Sequence, residues 1–125
     1  MKKYFLLTIL LMYGCNNVIG SDDDTELNNL EFTQIVKAVS DSELTVTGQV
    51  KNTGTTKVSS PWYVEGMFYT DTTFTFILGG DNQRQNVPLE PEVSISWTLS
   101  YSSSEVLESD YPNFGFRNLR GFTKN

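Results

Sequence analysis

The chain has 125 residues, a net charge of −6, a single cysteine, Cys15, and no histidine. An internal disulfide and a zinc site built from cysteine and histidine are therefore excluded. No block of lysine or arginine follows the first three residues. Nucleic acids and anionic lipid headgroups are consequently not expected as partners, because both attract proteins through clustered cations.

The first residues have the pattern of an export signal. Lys2 and Lys3 precede a ten-residue run at 4–13 that is apolar apart from Thr8. As a helix this run spans about 15 Å, half the hydrocarbon core of a bilayer. That length is typical of a signal peptide and too short for a transmembrane helix. A buried N-terminal helix is the alternative, although polar residues at helical spacing are missing. We predict that residues 1–14 are a signal peptide.

The segment Met12-Tyr13-Gly14-Cys15 follows directly. It resembles the lipobox of bacterial lipoproteins, in which a small residue precedes an invariant cysteine. The resemblance implies a diacylglyceryl group on the Cys15 sulfur, cleavage before Cys15 and acylation of the new amine. Met12 and Tyr13 depart from the commonest pattern, a leucine followed by a small residue. A free thiol in the mature N-terminus is the alternative.

Residues 16–29 are polar and acidic, and this composition predicts a disordered tether. Within them, Ser21-Asp22-Asp23-Asp24 resembles the acidic patch that directs some Gram-negative lipoproteins to the cell exterior, and Asn16 is compatible with outer-membrane sorting. A plain solubilising linker is one alternative. A calcium site is another, although consecutive acids do not reproduce a calcium-binding loop. The expected location is the cell envelope, at the outer membrane, with the patch implying surface exposure.

A folded domain is predicted for residues 30–125, where the hydrophobic period changes to two. Residues 43–52 and 93–101 alternate between apolar and polar side chains, which is typical of strands with one buried face. Turn residues at 52–54, 79–82 and 88–91 separate the predicted strands. The other predicted strands are 31–39, 62–69, 74–78, 84–89 and 114–122. One helical turn is expected around 104–109.

About seven short strands predict an all-β fold, an antiparallel immunoglobulin-like β-sandwich. Because the chain cannot form the usual disulfide between the sheets, Trp97 and its apolar neighbours are expected to fill the centre.

Three segments carry a likeness to known domains: VTGQVKNTG at 46–54, FYTD at 68–71 and VPLEPE at 87–92. They resemble the strand-and-turn motif G-x-V-x-N-x-G, the aromatic pair near an aspartate and the L-x-P-G-x turn of small bacterial immunoglobulin-like domains of the FxLYD type. Glu92 replaces the usual glycine, and the D-x-x-G turn is missing after Asp71. The resemblance covers residues 44–101 and implies a fold without an activity.

Catalysis is not expected, because the acidic residues fall mostly at turns or outward strand positions. Their spacing in the sequence also shows no pair of carboxylates that would flank one scissile bond. No metal or other cofactor is expected either. Aromatic side chains on both faces of 62–69 predict a strand buried on two sides or one that presents a binding face. The candidate binding residues are Tyr63, Glu65, Tyr69, Tyr101 and Tyr111, with an ordinary outward strand position as the alternative for Glu65.

These patterns together predict a non-catalytic, lipid-anchored module for protein interaction or assembly at the cell envelope. A surface carbohydrate-binding lipoprotein with exposed aromatic side chains is the alternative. The expected partners are the membrane, through lipid on Cys15, and an envelope protein or a glycan.

Overall fold

The computed structural model describes residues 24–40, 43–103 and 111–124. The predicted signal peptide, Cys15, Ser21, Asp22, Asp23 and the predicted helical turn lie outside these ranges. The described residues contain no helix, and hence none that could cross a membrane. They form seven strands: β1 (Asp24–Leu27), β2 (Leu30–Val39), β3 (Leu44–Asn52), β4 (Trp62–Tyr69), β5 (Ile77–Gln85), β6 (Ser94–Tyr101) and β7 (Gly115–Lys124).

The strands build two antiparallel sheets, with the order β1-β7-β4-β5 in one and β2-β3-β6 in the other. The predicted all-β, immunoglobulin-like sandwich is therefore confirmed. The chain crosses between the sheets at Asn28 and Asn29. In an immunoglobulin-type sandwich the last strand of the chain lies beside the strand before it. Here β1, the first strand, fills that place beside β7.

The core lies between the sheets and is centred on Trp97, whose side chain is 1% exposed. Its ring packs edge-on against Phe32 and parallel to Phe116. The predicted alternation of β3 is confirmed, since Leu44, Val46 and Val50 are buried while the intervening residues are partly exposed. The buried cluster comprises Leu44, Val46, Val50, Trp62, Val64, Phe68, Leu89, Trp97, Leu99 and Phe114.

The predicted tether overlaps the fold. β1 lies within residues 16–29 and pairs with β7 over four residues, so the domain includes residues from Asp24 onward instead of beginning at Leu30. Leu27 packs against the core, and Asp24 and Glu26 lie near the Arg120 guanidinium. These tertiary contacts stabilise a strand that the local polar composition disfavours.

The predicted strands at 74–78 and 84–89 are wrong as separate elements, because β5 runs through the predicted turn at 79–82. The Tyr101 ring packs against Gly79 and the Met67 side chain against Gly80, in the space that a Cβ would occupy. The Asp81 carboxylate accepts a hydrogen bond from the Ser100 backbone N–H at 2.8 Å. Weak strand formers are tolerated here because β5 is an edge strand held by these contacts.

Two bulges change which side chains face the core. In β2 the register shifts between Thr33 and Val36, where Gln34 has φ 55°. In β7 the register against β4 shifts near Asn118, which has φ 64°. An extra residue reverses the inward and outward positions that follow it. In β7 this turns Arg120 and Phe122 to the outer side of their sheet, where Phe122 is 2% exposed because Tyr63 and Arg120 cover its ring.

Candidate functional site

The two sides of β4 differ in burial. Trp62, Val64 and Phe68 face the core and are fully buried, whereas Tyr63 and Glu65 on the other side are half-buried. β4 is therefore buried on one side and partly exposed on the other, and the binding face remains a prediction. We call the solvent side of the β1-β7-β4-β5 sheet the outer face, and it carries three of the five candidate binding residues.

Tyr63 lies at the end of the outer face where β1 and β4 begin. Its ring stacks on the Phe122 ring, with centroids 5.2 Å apart and planes 15° from parallel. The Lys124 ammonium lies 4.9 Å from the Tyr63 ring centroid. Arg84 is the register partner of Tyr63 on β5. The Tyr63 ring is therefore already in contact with an aromatic ring and a cation of its own chain.

Glu65 lies at the centre of the outer face and binds Arg120. The Arg120 Nε donates a hydrogen bond to the Glu65 Oε2 at 2.7 Å. The same guanidinium lies 3.6 Å from the Asp24 carboxylate and 3.8 Å from that of Glu26, and 4.6 Å from the Phe122 ring centroid. Arg120 thereby joins β1, β4 and β7, and the carboxylate of Glu65 is engaged in this ion-pair network.

Tyr69 lies at the opposite end of the outer face and is 9% exposed. Its ring meets the edge of the Phe74 ring at 5.3 Å, and the Asn118 amide donates a long hydrogen bond of 3.4 Å to its hydroxyl. The Arg117 guanidinium lies 4.3 Å from the Phe74 ring centroid and 5.4 Å from that of Tyr69. We call these four residues the Arg117 cluster.

The guanidinium of Arg117 has no ionic partner in the described parts of the chain, where no carboxylate lies within 4.0 Å of it. Arg117 is exposed, yet the rings of Phe74 and Tyr69 restrict where its guanidinium can lie. Among the described residues, the contacts of this guanidinium are with the Phe74 and Tyr69 rings.

Two residues of the cluster adopt a strained backbone. Phe74 has φ 58° and Asn118 has φ 64°. Asparagine tolerates this left-handed region, whereas a bulky aromatic residue rarely adopts it. Such strain costs about 1–3 kcal/mol per residue and concentrates at functional positions. Gly115 makes the arrangement possible, because a Cβ at this position would meet the Asp71 carbonyl oxygen and the Phe74 ring.

Asp71 shapes the loop that carries Phe74. Its Oδ1 accepts hydrogen bonds from the Thr73 hydroxyl at 2.6 Å and the Thr73 backbone N–H at 2.9 Å. The hydroxyl first, and the backbone N–H second, hold the pKa of the Asp71 carboxyl below its ordinary value of 3.8. The loop therefore carries a fixed negative charge at neutral pH.

The remaining two candidate residues face inward. Tyr101 packs on the Phe68 ring at 6.2 Å and lies against Gly79. Tyr111 is partly buried against the core. The five candidates consequently do not form one surface: Tyr63, Glu65 and Tyr69 share the outer face, and Tyr101 and Tyr111 belong to the margin of the core.

Sequence reasoning missed the residues of β7 that complete the outer face. Strict alternation from Phe114 places Arg120 and Phe122 in the core, and the bulge at Asn118 reverses them. The available signal was an asparagine within an otherwise apolar-alternating strand, because asparagine is enriched at left-handed positions.

No three acidic side chains come close enough to form a metal site within residues 24–40, 43–103 and 111–124. Several acids have structural partners: Glu65 binds Arg120, Asp71 binds Thr73, and Asp81 on β5 accepts from the Ser100 N–H on β6. The chain matches no protein-family model, no curated protein sequence and no solved structure.

Proposed function

We propose that the chain is a lipid-anchored protein of the cell envelope that acts through contacts and carries no catalytic site. The observation that carries the proposal is the position of β1. The sandwich is already present at Asp24, and only residues 16–23 separate it from Cys15. Even fully extended, these eight residues span at most about 28 Å. Lipid on Cys15 would therefore hold the sandwich beside the membrane.

The strand order also favours one orientation for a domain anchored through Cys15. β1 starts in register with Lys124, and the connections at 53–61 and 86–93 lie at the same end of the sandwich. The connection at 70–76 lies at the other end. Strands of eight to ten residues separate the ends by about 30 Å. We call the end of the sandwich at which β1 begins the chain-entry end. We infer that the chain-entry end faces the membrane and that the end with the Arg117 cluster faces partners.

Protein contact is preferred to carbohydrate binding because the aromatic ring faces on the outer face are already covered. Sugar stacking needs an open ring face, whereas Tyr63 contacts Phe122 and Lys124, and Tyr69 is 9% exposed. The guanidinium of Arg117, which lies against two aromatic rings and has no ionic partner among the described residues, favours recognition of an anionic group instead.

The anchor is tested by the change Cys15→Ala. We expect the variant to lose the mass of the acyl chains and to leave the membrane fraction, because several acyl chains on one residue are needed for stable attachment. Mass spectrometry and fractionation of membranes measure both effects. The matched control is Thr55→Ala in the exposed 53–61 connection, which is expected to stay with the membrane. A Cys15→Ala variant that also stays there contradicts the proposal.

A further inference from the structure

We propose that the Arg117 cluster is a docking site for an acidic side chain of a partner protein. The inference rests on the proposed function and names the chemistry of the partner. It begins from a contrast between two arginines on one strand. Arg120 has three carboxylates within 4.0 Å, at 2.7, 3.6 and 3.8 Å, whereas Arg117 has none among the described residues.

Arg117 is preorganised although it is exposed. Its guanidinium lies over Phe74 and near Tyr69, at 4.3 and 5.4 Å from the two ring centroids. An arginine stacked on aromatic rings keeps its N–H donors at the edge of the guanidinium plane free for hydrogen bonds. Binding a ligand then requires less loss of side-chain freedom than it does for an unrestrained arginine.

The backbone below the guanidinium is built for this arrangement. Phe74, whose ring lies against the guanidinium, and Asn118, the next residue in the chain, both have positive φ, and Phe74 is a residue type that avoids it. The turn formed by Asp71 and Thr73 leads into Phe74 and holds it against Tyr69. Local strain that the surrounding contacts maintain indicates a selected geometry.

The cluster favours a carboxylate flanked by an apolar group. A guanidinium pairs with a planar carboxylate through two parallel hydrogen bonds. Ile77, which is 55% exposed, is the register partner of Tyr69 on β5 and offers an exposed apolar side chain on the strand next to Tyr69. Phe76, which precedes it, is 69% exposed. A glutamate or aspartate next to a leucine-like residue on a protein surface has both features.

The position of the cluster favours a protein over a bilayer. It lies at the end of the sandwich opposite the start of β1, and therefore on the side away from an anchor on Cys15. A glycan is less favoured because the ring of Tyr69 is nearly inaccessible and that of Phe74 is covered by Arg117.

The test uses the full lipidated chain in nanodiscs of neutral phosphatidylcholine and the peptide acetyl-Gly-Leu-Glu-Leu-Gly-amide as the probe. Binding is followed through the NMR signal of the Arg117 side-chain N–H groups. We expect a saturable shift at about millimolar peptide, the range of a single ionic contact. The same peptide with glutamine in place of glutamate is expected to bind at least about fivefold more weakly, since the charge-assisted bond is lost.

Three variants distinguish specific binding at Arg117 from general charge attraction. Binding to them is followed through backbone amide signals. R117A is expected to weaken binding at least about fivefold, and R117K to an intermediate extent, because lysine keeps the charge and loses the paired geometry. The matched control is R84A, which removes an exposed arginine at the other end of the outer face and is expected to leave binding unchanged. Circular dichroism verifies that each variant is folded.

Equal weakening by R84A, equal binding of the glutamine peptide, or no saturable shift overturns the proposal. Larger shifts of the Arg117 signals in nanodiscs that contain phosphatidylglycerol point to a lipid ligand and also overturn it. The acyl mass on Cys15, measured on the same samples, reports on the anchor alone. A failed anchor with intact peptide binding is thereby distinguished from a failed docking site.

Discussion

Asn52 shows how one polar side chain organises the chain-entry end. It is 1% exposed, and its amide nitrogen donates to the carbonyl oxygens of Thr56 and Leu89, each at 2.9 Å. Its Oδ1 accepts a hydrogen bond from the Gly54 N–H at 2.9 Å. A buried polar group is stable only when its hydrogen bonds are made, and all three are present.

We expect Asn52→Ala to lower the free energy of unfolding by about 2–4 kcal/mol. Three hydrogen bonds of about 1 kcal/mol each are lost, and the Leu89 carbonyl oxygen keeps only the Val58 backbone N–H as a donor. Chemical denaturation measures the change. Thr55→Ala, in the same connection but exposed, is expected to change stability by less than about 0.5 kcal/mol. Equal effects of the two substitutions contradict the role given to Asn52.

Asp71 provides a prediction about pH. Its folded pKa is below the ordinary 3.8, so its hydrogen bonds to Thr73 stabilise the loop above that pH and are lost as the pH falls through the lowered pKa. We expect an NMR titration midpoint below 3.8 that rises toward 3.8 in Thr73→Val, because the hydroxyl donor is removed. Thr72→Val, exposed beside it, is expected to leave the midpoint unchanged. A midpoint at or above 3.8 in the unaltered chain is the contrary result.

At the level of elements, side chains of β5 cover the β6 edge of the β2-β3-β6 sheet. The backbone N–H groups of Thr98 and Ser100 on β6 donate to Gln83 at 3.0 Å and Asp81 at 2.8 Å. At the other edge, the Lys37 ammonium on β2 donates to the Phe114 carbonyl oxygen at 3.0 Å. Covered edges and bulges prevent an exposed strand from pairing with another chain.

The double change Asp81→Ala and Gln83→Ala tests this covering. We expect a loss of about 1–3 kcal/mol of stability, because two backbone donors lose their acceptors. Hydrogen exchange at the amides of Thr98 and Ser100 is expected to accelerate. Asn82→Ala, between them on the outer side of β5, serves as the control. Unchanged exchange in the double variant shows that the β6 edge is protected in another way.

The elements predictable from sequence are those whose pattern is local. β3, β4 and β6 follow the expected residues closely, because their buried faces are marked by alternating apolar side chains. β1 and β5 are not marked in this way. β1 is stabilised by the ion pair of Asp24 with Arg120 and by the packing of Leu27 on the core. β5 is stabilised by the hydrogen bond from the Ser100 N–H on β6 to Asp81. These contacts join residues far apart in the chain, so the stability of the two strands is not visible in any short window.

The outer face was predictable only on β4. Tyr63, Glu65 and Tyr69 were identified from the two apolar sides of that strand. Arg117 and Phe74 were not, because their proximity depends on a bulge and on two residues with positive φ. A single sequence does not specify where a strand gains an extra residue.

For the whole molecule, the strand order predicts which end lies near the bilayer. In the proposed form with lipid on Cys15, a cysteine introduced at Lys57 or at Thr72 is the only free thiol for a fluorophore. We expect spin-labelled lipid headgroups to quench the fluorophore at position 57 strongly and that at position 72 little, since about 30 Å separates the two ends. The variant at 72 is the matched control for the one at 57. Equal quenching contradicts the proposed orientation.

The placement of β1 has a mechanical consequence. β1 runs antiparallel to β7 over four paired residues, from Asp24 beside Lys124 to Leu27 beside Gly121. In the proposed lipid-anchored form, a pull transmitted from the membrane through residue 24 acts along the axis of β1. The load is then shared by the β1–β7 hydrogen bonds in shear, together with the ionic contacts of Arg120, instead of opening the bonds one after another. The strand nearest the anchor is thus arranged to resist tension on the tether.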